Sequence, residues 1–217
     1  MPRLGRQSNF TGALDAVVVI RGDAERVARW VERGTVPAYV VDLDGPWCAV
    51  VAAGPGHAAA PFDDAATVLV ARPVPQMMRP AAGFFVHGDD AVVLVQPRRW
   101  RSLPRWFVVR RGFGVVRAAL PQASLADLLA VGEKSHPETL ERVLAQRGAE
   151  PIEVLRGVMV ALGIPAGHLL ALHPRAAIEA DLVEPDAKAV RRFDKHTREE
   201  REERREIEGH ALMEEKR

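Results

Sequence analysis

Cysteine is almost absent from this chain of 217 residues, since Cys48 is the single one. A lone cysteine forms no intrachain disulfide, which excludes a small disulfide-stapled domain of the secreted kind. No apolar run approaches the roughly 18 residues of a membrane-spanning helix, and residues 1–6 lack the apolar core of a signal peptide. We therefore expect a cytoplasmic protein with no membrane partner.

An excess of charge of one sign is also missing. The chain has 30 basic and 29 acidic residues, for a formal net charge of +1. This balance excludes a chain-wide electrostatic field of the kind that draws a protein to nucleic acid or to a membrane. Hydrophobic residues make up 47% of the sequence, which is enough for an ordinary globular core.

Patterns that bind metals or phosphate groups are absent as well. No two of the 7 histidines stand four residues apart, the spacing that places two ligands on one helix face. The glycine-rich stretch at 54–57 lacks the Lys-Ser/Thr of a phosphate loop. We expect neither a metal nor another cofactor, and Cys48 is interpreted as a small buried residue.

Up to about residue 120 the hydrophobic pattern is typical of short strands joined by tight turns. Helix is predicted only at 26–33, after Asp23 as the N-cap. The predicted strands are Leu14–Ile20, Ala38–Val41, Trp47–Ala53, Thr67–Ala71, Gly83–Val86, Ala91–Gln96, Trp106–Arg110 and Phe113–Ala118. This pattern predicts an α+β fold with a mainly antiparallel sheet built from β-hairpins.

The same pattern suggests an internal duplication. Residues 17–21, a helix and the hairpin 39–51 form a β-α-β-β unit, and residues 68–72 begin a similar unit in which prolines replace the helix. Because any two alternating hairpins look alike, chance similarity is the alternative explanation.

Beyond residue 120 the period changes from 2 to 3.6, which predicts helices. They are expected at 125–131, 137–146, 152–162, 165–172 and from Pro174 through Leu182. The predicted organisation is a flexible arm (1–12), a sheet domain (13–120), a helical region packed on it (121–183) and a charged C-terminal helix (184–217).

The charged helix has 21 ionisable acidic or basic residues among its 34. Alternating signs at helical spacing favour a solvent-exposed helix with ion pairs along its surface. The alternative is a helix that docks on a partner through the apolar pair Val190 and Phe193.

One short segment has the appearance of an enzyme motif. Tyr39–Gly45 is an apolar strand that ends in Asp-x-Asp-Gly, and it resembles the first motif of haloacid-dehalogenase-like phosphatases. The resemblance implies that Asp42 is a nucleophile and Asp44 an acid/base, with Mg²⁺ between carboxylate and phosphate. In that family a loop and helix follow, whereas Trp47–Ala53 is typical of a returning strand. Asp-Gly is also a hairpin turn, which is the competing explanation.

The strongest local anomaly is electrostatic, because residues 91–126 contain no acidic side chain. Guanidinium groups neutralise phosphates and carboxylates, and exposed aromatic rings stack on bases. The candidate partner-binding residues, called here the Arg/Trp segment, are Arg98, Arg99, Trp100, Arg101, Arg105, Trp106, Arg110 and Arg111. The competing explanation is an ordinary sheet with aromatic side chains in the core and arginines paired to the chain's own acids.

Three functions remain open at this point. The first is a non-enzymatic interaction or regulatory protein that binds an acidic or protein partner through the Arg/Trp segment or the charged helix. The second is a nucleic-acid-associated protein that uses the same arginines, and the third is a Mg²⁺-dependent phosphohydrolase that uses Asp42 and Asp44. Self-association of the chain is open as well.

Overall fold

The computed structural model describes residues 16–43, 45–60, 62, 64–98, 102–117, 119–170 and 180–214, with side chains up to residue 203. The predicted flexible arm at 1–12 lies outside the described residues.

In the part of the chain that the structure describes, eight strands form a single sheet. They are β1 (Ala16–Arg21), β2 (Ala38–Asp42), β3 (Trp47–Ala52), β4 (Ala81–His87), β5 (Asp90–Gln96), β6 (Arg105–Arg110), β7 (Gly114–Val116) and β8 (Leu182–Val183). The order across the sheet is β7-β6-β5-β4-β1-β3-β2-β8, and every neighbouring pair is antiparallel. The first strand is therefore central, between the hairpins β2–β3 and β4–β5.

The described residues also form six α-helices. They are α1 (Ala24–Glu32), α2 (Ala65–Ala71), α3 (Leu125–Leu129), α4 (Pro137–Leu144), α5 (Pro151–Ala161) and α6 (Ala187–Glu214). Together with the antiparallel sheet they confirm the predicted α+β class.

Helix α1 forms where the local pattern predicts it. The Asp23 side chain accepts a hydrogen bond from the backbone N–H of Arg26 at 2.9 Å, which is an N-cap. Val27, Trp30 and Val31 are buried together, because residues three and four apart share one helix face. The opposite side of the helix carries arginines.

The strand predicted at Thr67–Ala71 is wrong, because these residues belong to helix α2. Asp64 caps that helix by accepting the backbone N–H of Ala66 and the hydroxyl of Thr67. Three β-branched side chains favour a strand locally, but burial of one helical face decides the outcome. The second β-α-β-β unit is accordingly not formed in the predicted order, since a helix stands in place of its first strand.

The central strands are covered on both faces. One face of the sheet is covered by α2, against which Gly83 of β4 packs. Phe85 lies two residues further along the same strand and therefore on the same face, where its ring contacts Trp106 edge-on at 6.3 Å between centroids. Phe107 therefore points to the other face, where it lines a cleft together with Leu144 of α4. Two-sided burial explains why β1 and β3 are almost entirely apolar.

The region predicted to be helical at 121–183 contains α3, α4 and α5, and also a strand. Leu182 and Val183 form β8 and pair with β2, so the helix predicted through Leu182 is wrong at that end. Residues 171–179 lie outside the described residues. The short helix predicted at 165–172 is a single 3₁₀ turn at Gly167–Leu169.

Helix α6 rests on the body of the protein at its N-terminal half. The backbone N–H of Asp186 donates to the carbonyl of Glu32 at 2.7 Å, and the Asp194 carboxylate accepts the N–H of Ala59 at 3.0 Å. Arg201 donates to the carbonyl of Ala60 at 2.9 Å. Within the described ranges, no helix combines the length and apolar character that a bilayer span requires.

Candidate functional site

The described arginines of strand β6 and its turn are paired with carboxylates of the same chain. Arg105 contacts Asp127 at 2.7 Å and Arg110 contacts Asp90 at 2.8 Å. Arg111 contacts Glu150 at 2.8 Å. Two of these acids, Asp90 and Asp127, stand immediately outside the acid-free stretch at 91–126, and folding brings them back onto it.

The pKa values of two of these acids reflect the pairing. The hydrogen bonds from Arg110 hold the pKa of Asp90 below its usual value. Burial alone would raise the pKa of Asp127, but hydrogen bonds from Ser124 and the contact with Arg105 outweigh it and lower that pKa. Both carboxylates are therefore charged at neutral pH and offset the positive charge of their arginines.

The remaining residues of the Arg/Trp segment are distributed differently. Trp106 is half-buried against Phe85 and is not an open stacking surface. Arg98 is exposed and lines a small cleft with Arg21, Asp127 and Glu133. Arg99, Trp100 and Arg101 lie outside the described residues.

The predicted Asp-x-Asp motif lies in a hairpin. Asp42 ends β2 and is paired in register with Cys48 of β3, so a strand returns where the phosphatase family has a loop and helix. Burial raises the pKa of the Cys48 thiol to about 11, which keeps it protonated at neutral pH. Asp44 lies outside the described residues. Among the described residues, no group of three or more His, Cys, Asp or Glu side chains could hold a metal ion.

The apolar pair on α6 is used within the chain. Phe193 packs edge-on against Phe62 at 5.3 Å between ring centroids, and Val190 is half-buried. A cleft of about 1060 Å³ runs beside this contact between α6 and the end of α1. Its lining combines acids such as Glu184 and Glu199 with bases such as Lys188 and Arg192, and Arg33 lines this cleft as well as the one described next.

A second cleft, of about 420 Å³, is lined by basic and apolar residues without an acid. We call it the arginine cleft. It lies between α1 and the segment that follows α2. Its lining residues are Arg26, Arg29, Trp30, Arg33, Arg72, Pro73, Pro75, Met77 and Met78.

The Arg72 side chain is held in a defined place within this cleft. Its guanidinium carbon lies 4.3 Å from the centroid of the Trp30 ring, which is a cation–π contact. The same guanidinium passes directly over Gly34, where a Cβ atom would collide with Nη1 of Arg72. The glycine therefore leaves the space that the arginine occupies.

The backbone on which Arg72 stands is fixed as well. The buried amide of Gln96 donates to the Arg72 carbonyl at 2.8 Å and accepts the N–H of Val74 at 2.7 Å. The indole N–H of Trp30 donates to the carbonyl of Pro73 at 3.1 Å, and Arg79 donates to the carbonyl of Val74 at 2.7 Å. Three consecutive residues, 72 to 74, are thus tied to the core.

The four arginines of the cleft differ in their partners. Arg26 pairs with Asp23 at 3.1 Å, and Arg29 pairs with Glu25, both within α1. Arg33 and Arg72 have no carboxylate within ion-pair distance among the described residues. Burial lowers the pKa of Arg72 to about 10, and the positive charge of Arg33 contributes to that decrease. The Arg72 guanidinium therefore stays charged at neutral pH, and neither it nor the neighbouring Arg33 has a counter-ion from the described parts of the chain.

The arginine cleft is not among the sites predicted from the sequence. Arg26, Arg29 and Arg33 stand at i, i+3 and i+7 of a correctly predicted helix, so their common stripe is readable from the sequence. Arg72 is not, because it follows a segment interpreted as a strand. Its position beside Trp30 depends on the segment after α2, whose Pro73 carbonyl accepts the indole N–H of Trp30.

No protein-family model, no curated protein and no solved structure matches this chain. Inference about its function therefore depends on the chemistry of its own residues.

Proposed function

We propose that this chain is a non-enzymatic binding protein that recognises an acidic segment of a protein partner in the arginine cleft. The observation that carries the proposal is the pair Arg33 and Arg72. One guanidinium is fixed on Trp30 and Gly34, the other is adjacent, and neither has a carboxylate partner among the described residues. A partly buried cation without a counter-ion costs free energy, and an anionic ligand offsets that cost.

The walls of the cleft support a peptide as the ligand. Met77 is 79% exposed, and Pro73 and Pro75 stand beside it. Methionine side chains adapt to ligands of different shape, and an exposed methionine is common at peptide-binding surfaces. A peptide whose carboxylates bind the arginines and whose apolar side chain packs on Met77 would contact both the basic and the apolar lining of the cleft.

The proposal places the partner at a different surface from the Arg/Trp segment. Arg105, Arg110 and Arg111 already hold carboxylates of the chain, so an acidic partner there would have to displace them. Arg33 and Arg72 require no such exchange. Binding at the cleft therefore avoids the cost of breaking an existing ion pair.

The test uses the full chain and an array of peptides in which acidic residues flank one apolar residue. We expect the double variant Arg33→Gln/Arg72→Gln to lose at least tenfold in affinity, measured by fluorescence anisotropy on the best peptides. The matched control is Arg117→Gln/Arg147→Gln, which removes the same net charge from exposed arginines elsewhere. Equal losses in both double variants, or no peptide bound by the unmodified chain, would contradict the proposal.

Nucleic acid is the alternative ligand for the arginines at 98–101. It predicts retention of a single-stranded oligonucleotide that weakens steeply with salt and is lost when Arg98, Arg99 and Arg101 become alanine. Retention with that behaviour, combined with no acidic-peptide binding, would replace the proposed function by the nucleic-acid one.

A further inference from the structure

We infer that the group bound jointly by Arg33 and Arg72 is a phosphate monoester on the partner segment. This inference rests on the proposed function and makes it more specific. It assigns to the two arginines a ligand group that neutralises both of them, in place of a single carboxylate.

The charges in the cleft are only partly balanced by the chain's own acids. The acids Asp23 and Glu25 are already engaged with Arg26 and Arg29. Arg33 and Arg72 have no such partner among the described residues, so two positive charges of the cleft are left without an ion pair there. A carboxylate neutralises one of them, whereas a phosphate monoester carries about −1.5 to −2 charges at neutral pH and has three acceptor oxygens. A phosphate therefore matches the cleft in charge and in the number of hydrogen bonds that two guanidinium groups donate.

Arg72 is preorganised for binding by contacts to its backbone and to its side chain. Its backbone carbonyl is bound by Gln96, and its guanidinium is confined between Trp30 and Gly34. A confined arginine loses little side-chain entropy when it binds, and its planar donors suit the oxygens of a phosphate. The positive charge is thus in place before the ligand arrives.

The surfaces around the two arginines favour a peptide over a nucleotide as the carrier of the phosphate. A nucleotide base needs an open aromatic face, but Trp30 is only 4% exposed and Arg72 covers its ring. The other surfaces of the cleft are the proline and methionine side chains at 73–78. These surfaces accept the aliphatic part of a peptide, so a phosphorylated peptide fits better than a nucleotide.

The experiment compares three versions of one degenerate peptide library, centred on phosphoserine, aspartate or serine, on the immobilised full chain. We expect the phosphoserine library to be retained at least tenfold more strongly than the aspartate library, with the serine library weakest. Inorganic phosphate should compete with the phosphoserine peptides, whereas chloride at the same ionic strength should not. A nucleoside monophosphate that binds more tightly than the phosphoserine peptides would overturn the peptide part of the inference.

Gly34→Ala provides a variant that keeps the net charge. The added Cβ would collide with the guanidinium of Arg72, the far end of a flexible side chain, and would meet the carbonyl oxygen of Val31 at 3.0 Å, so we expect Arg72 to move, the backbone to shift slightly and the fold to persist. Phosphoserine binding should fall about tenfold while the variant still unfolds cooperatively in a thermal melt. Gly148→Ala is the matched control, because nothing lies within 4 Å of the Cβ it would add. Unchanged binding by Gly34→Ala and by Arg72→Gln would overturn the inference.

The outcomes separate this inference from the proposed function. If aspartate peptides bind as tightly as phosphoserine peptides, and Arg72→Gln weakens both, the phosphate is wrong and the acidic-partner function stands. If no peptide of any library is retained, both are wrong.

Discussion

The two arginine-rich regions of this protein differ in how many of their arginines have a carboxylate partner within the chain. The Arg/Trp segment has the higher density of arginine along the chain, and three of its four described arginines, Arg105, Arg110 and Arg111, are each paired with a carboxylate. In the arginine cleft, Arg33 and Arg72 have none among the described residues. Among the described residues, the arginine cleft thus has two arginines without an ion pair, whereas the Arg/Trp segment has one, Arg98.

The difference teaches that the partners of a charge decide its availability for binding. The strand pairing of β5 with β6 sets Asp90 directly opposite Arg110, because the two are cross-strand neighbours. Nothing comparable opposes Arg72, which follows a helix and is directed across Trp30. A surface that is neutralised in this way stabilises the fold, whereas an unneutralised one is free to recognise a ligand.

The largest effect that would sharpen this comparison is expected from the two tryptophans. Trp30→Ala removes a buried ring that supports Arg72, and should lower the free energy of unfolding by about 3–5 kcal/mol. Trp106→Ala removes a half-buried ring, and should cost about 1–2 kcal/mol. Urea denaturation of both variants measures the difference. Equal losses would show that the two regions support the fold to the same degree, contrary to our expectation.

The next effect concerns Gln96, which fixes the backbone of the cleft. Gln96→Met keeps the approximate volume but leaves the Arg72 carbonyl and the Val74 N–H without their partner. We expect a loss of about 2–4 kcal/mol in the free energy of unfolding, since each buried unsatisfied group costs about 1–3 kcal/mol. Acidic-peptide binding should weaken in the same variant. Unchanged binding at reduced stability would mean that Arg72 needs no fixed backbone.

A smaller effect is expected from the neutralised region, and it depends on pH. The hydrogen bonds from Arg110 hold the pKa of Asp90 below its ordinary value of 3.8 in the folded state, so its contribution to stability is present above that ordinary value and is lost as the pH falls through the folded pKa. Asp90→Asn should cost about 1 kcal/mol at pH 7 and nothing at pH values well below the folded pKa. Denaturation curves at several pH values test this, with Asp89→Asn as the exposed control. A cost that is the same at every pH would rule out the ion pair as its origin.

The smallest effect tests whether the cleft responds to one more free arginine. Glu25→Gln releases Arg29 from its partner and should tighten acidic-peptide binding about twofold, with the free energy of unfolding changed by less than about 0.5 kcal/mol. Glu141→Gln changes the net charge equally on an exposed site away from the cleft. Tighter binding in both variants would indicate a general electrostatic effect and not a local one.

Local patterns in the sequence predicted the parts of the fold that depend on local physics. The capping of α1 by Asp23 and the hairpin of β2 with β3 are examples. The strand predicted at Thr67–Ala71 was wrong. The β-branched residues there favour a strand, whereas the cap at Asp64 and the burial of Leu69 favour the helix α2 that forms. The local signal and the tertiary one disagreed, and tertiary packing decided.

The site was harder to predict because it depends on contacts between distant residues. Glu150 neutralises an arginine 39 positions earlier, and the amide of Gln96 binds a carbonyl 24 positions earlier. Contacts between residues so far apart in the chain produce no periodic pattern in the sequence from which they could be predicted. The arginine stripe on α1 was readable, but which of its members stay unpaired was not.

The missing side chain at Gly34 has a consequence for how the sequence can change over time. Because Arg72 occupies the space that a Cβ would fill, the two positions are expected to be exchanged together in evolution. A descendant with alanine or serine at 34 would lose the reason to keep arginine at 72, while its fold would persist. Positions 34 and 72 would then covary among descendants according to whether ligand binding is retained, and independently of whether the sheet is retained.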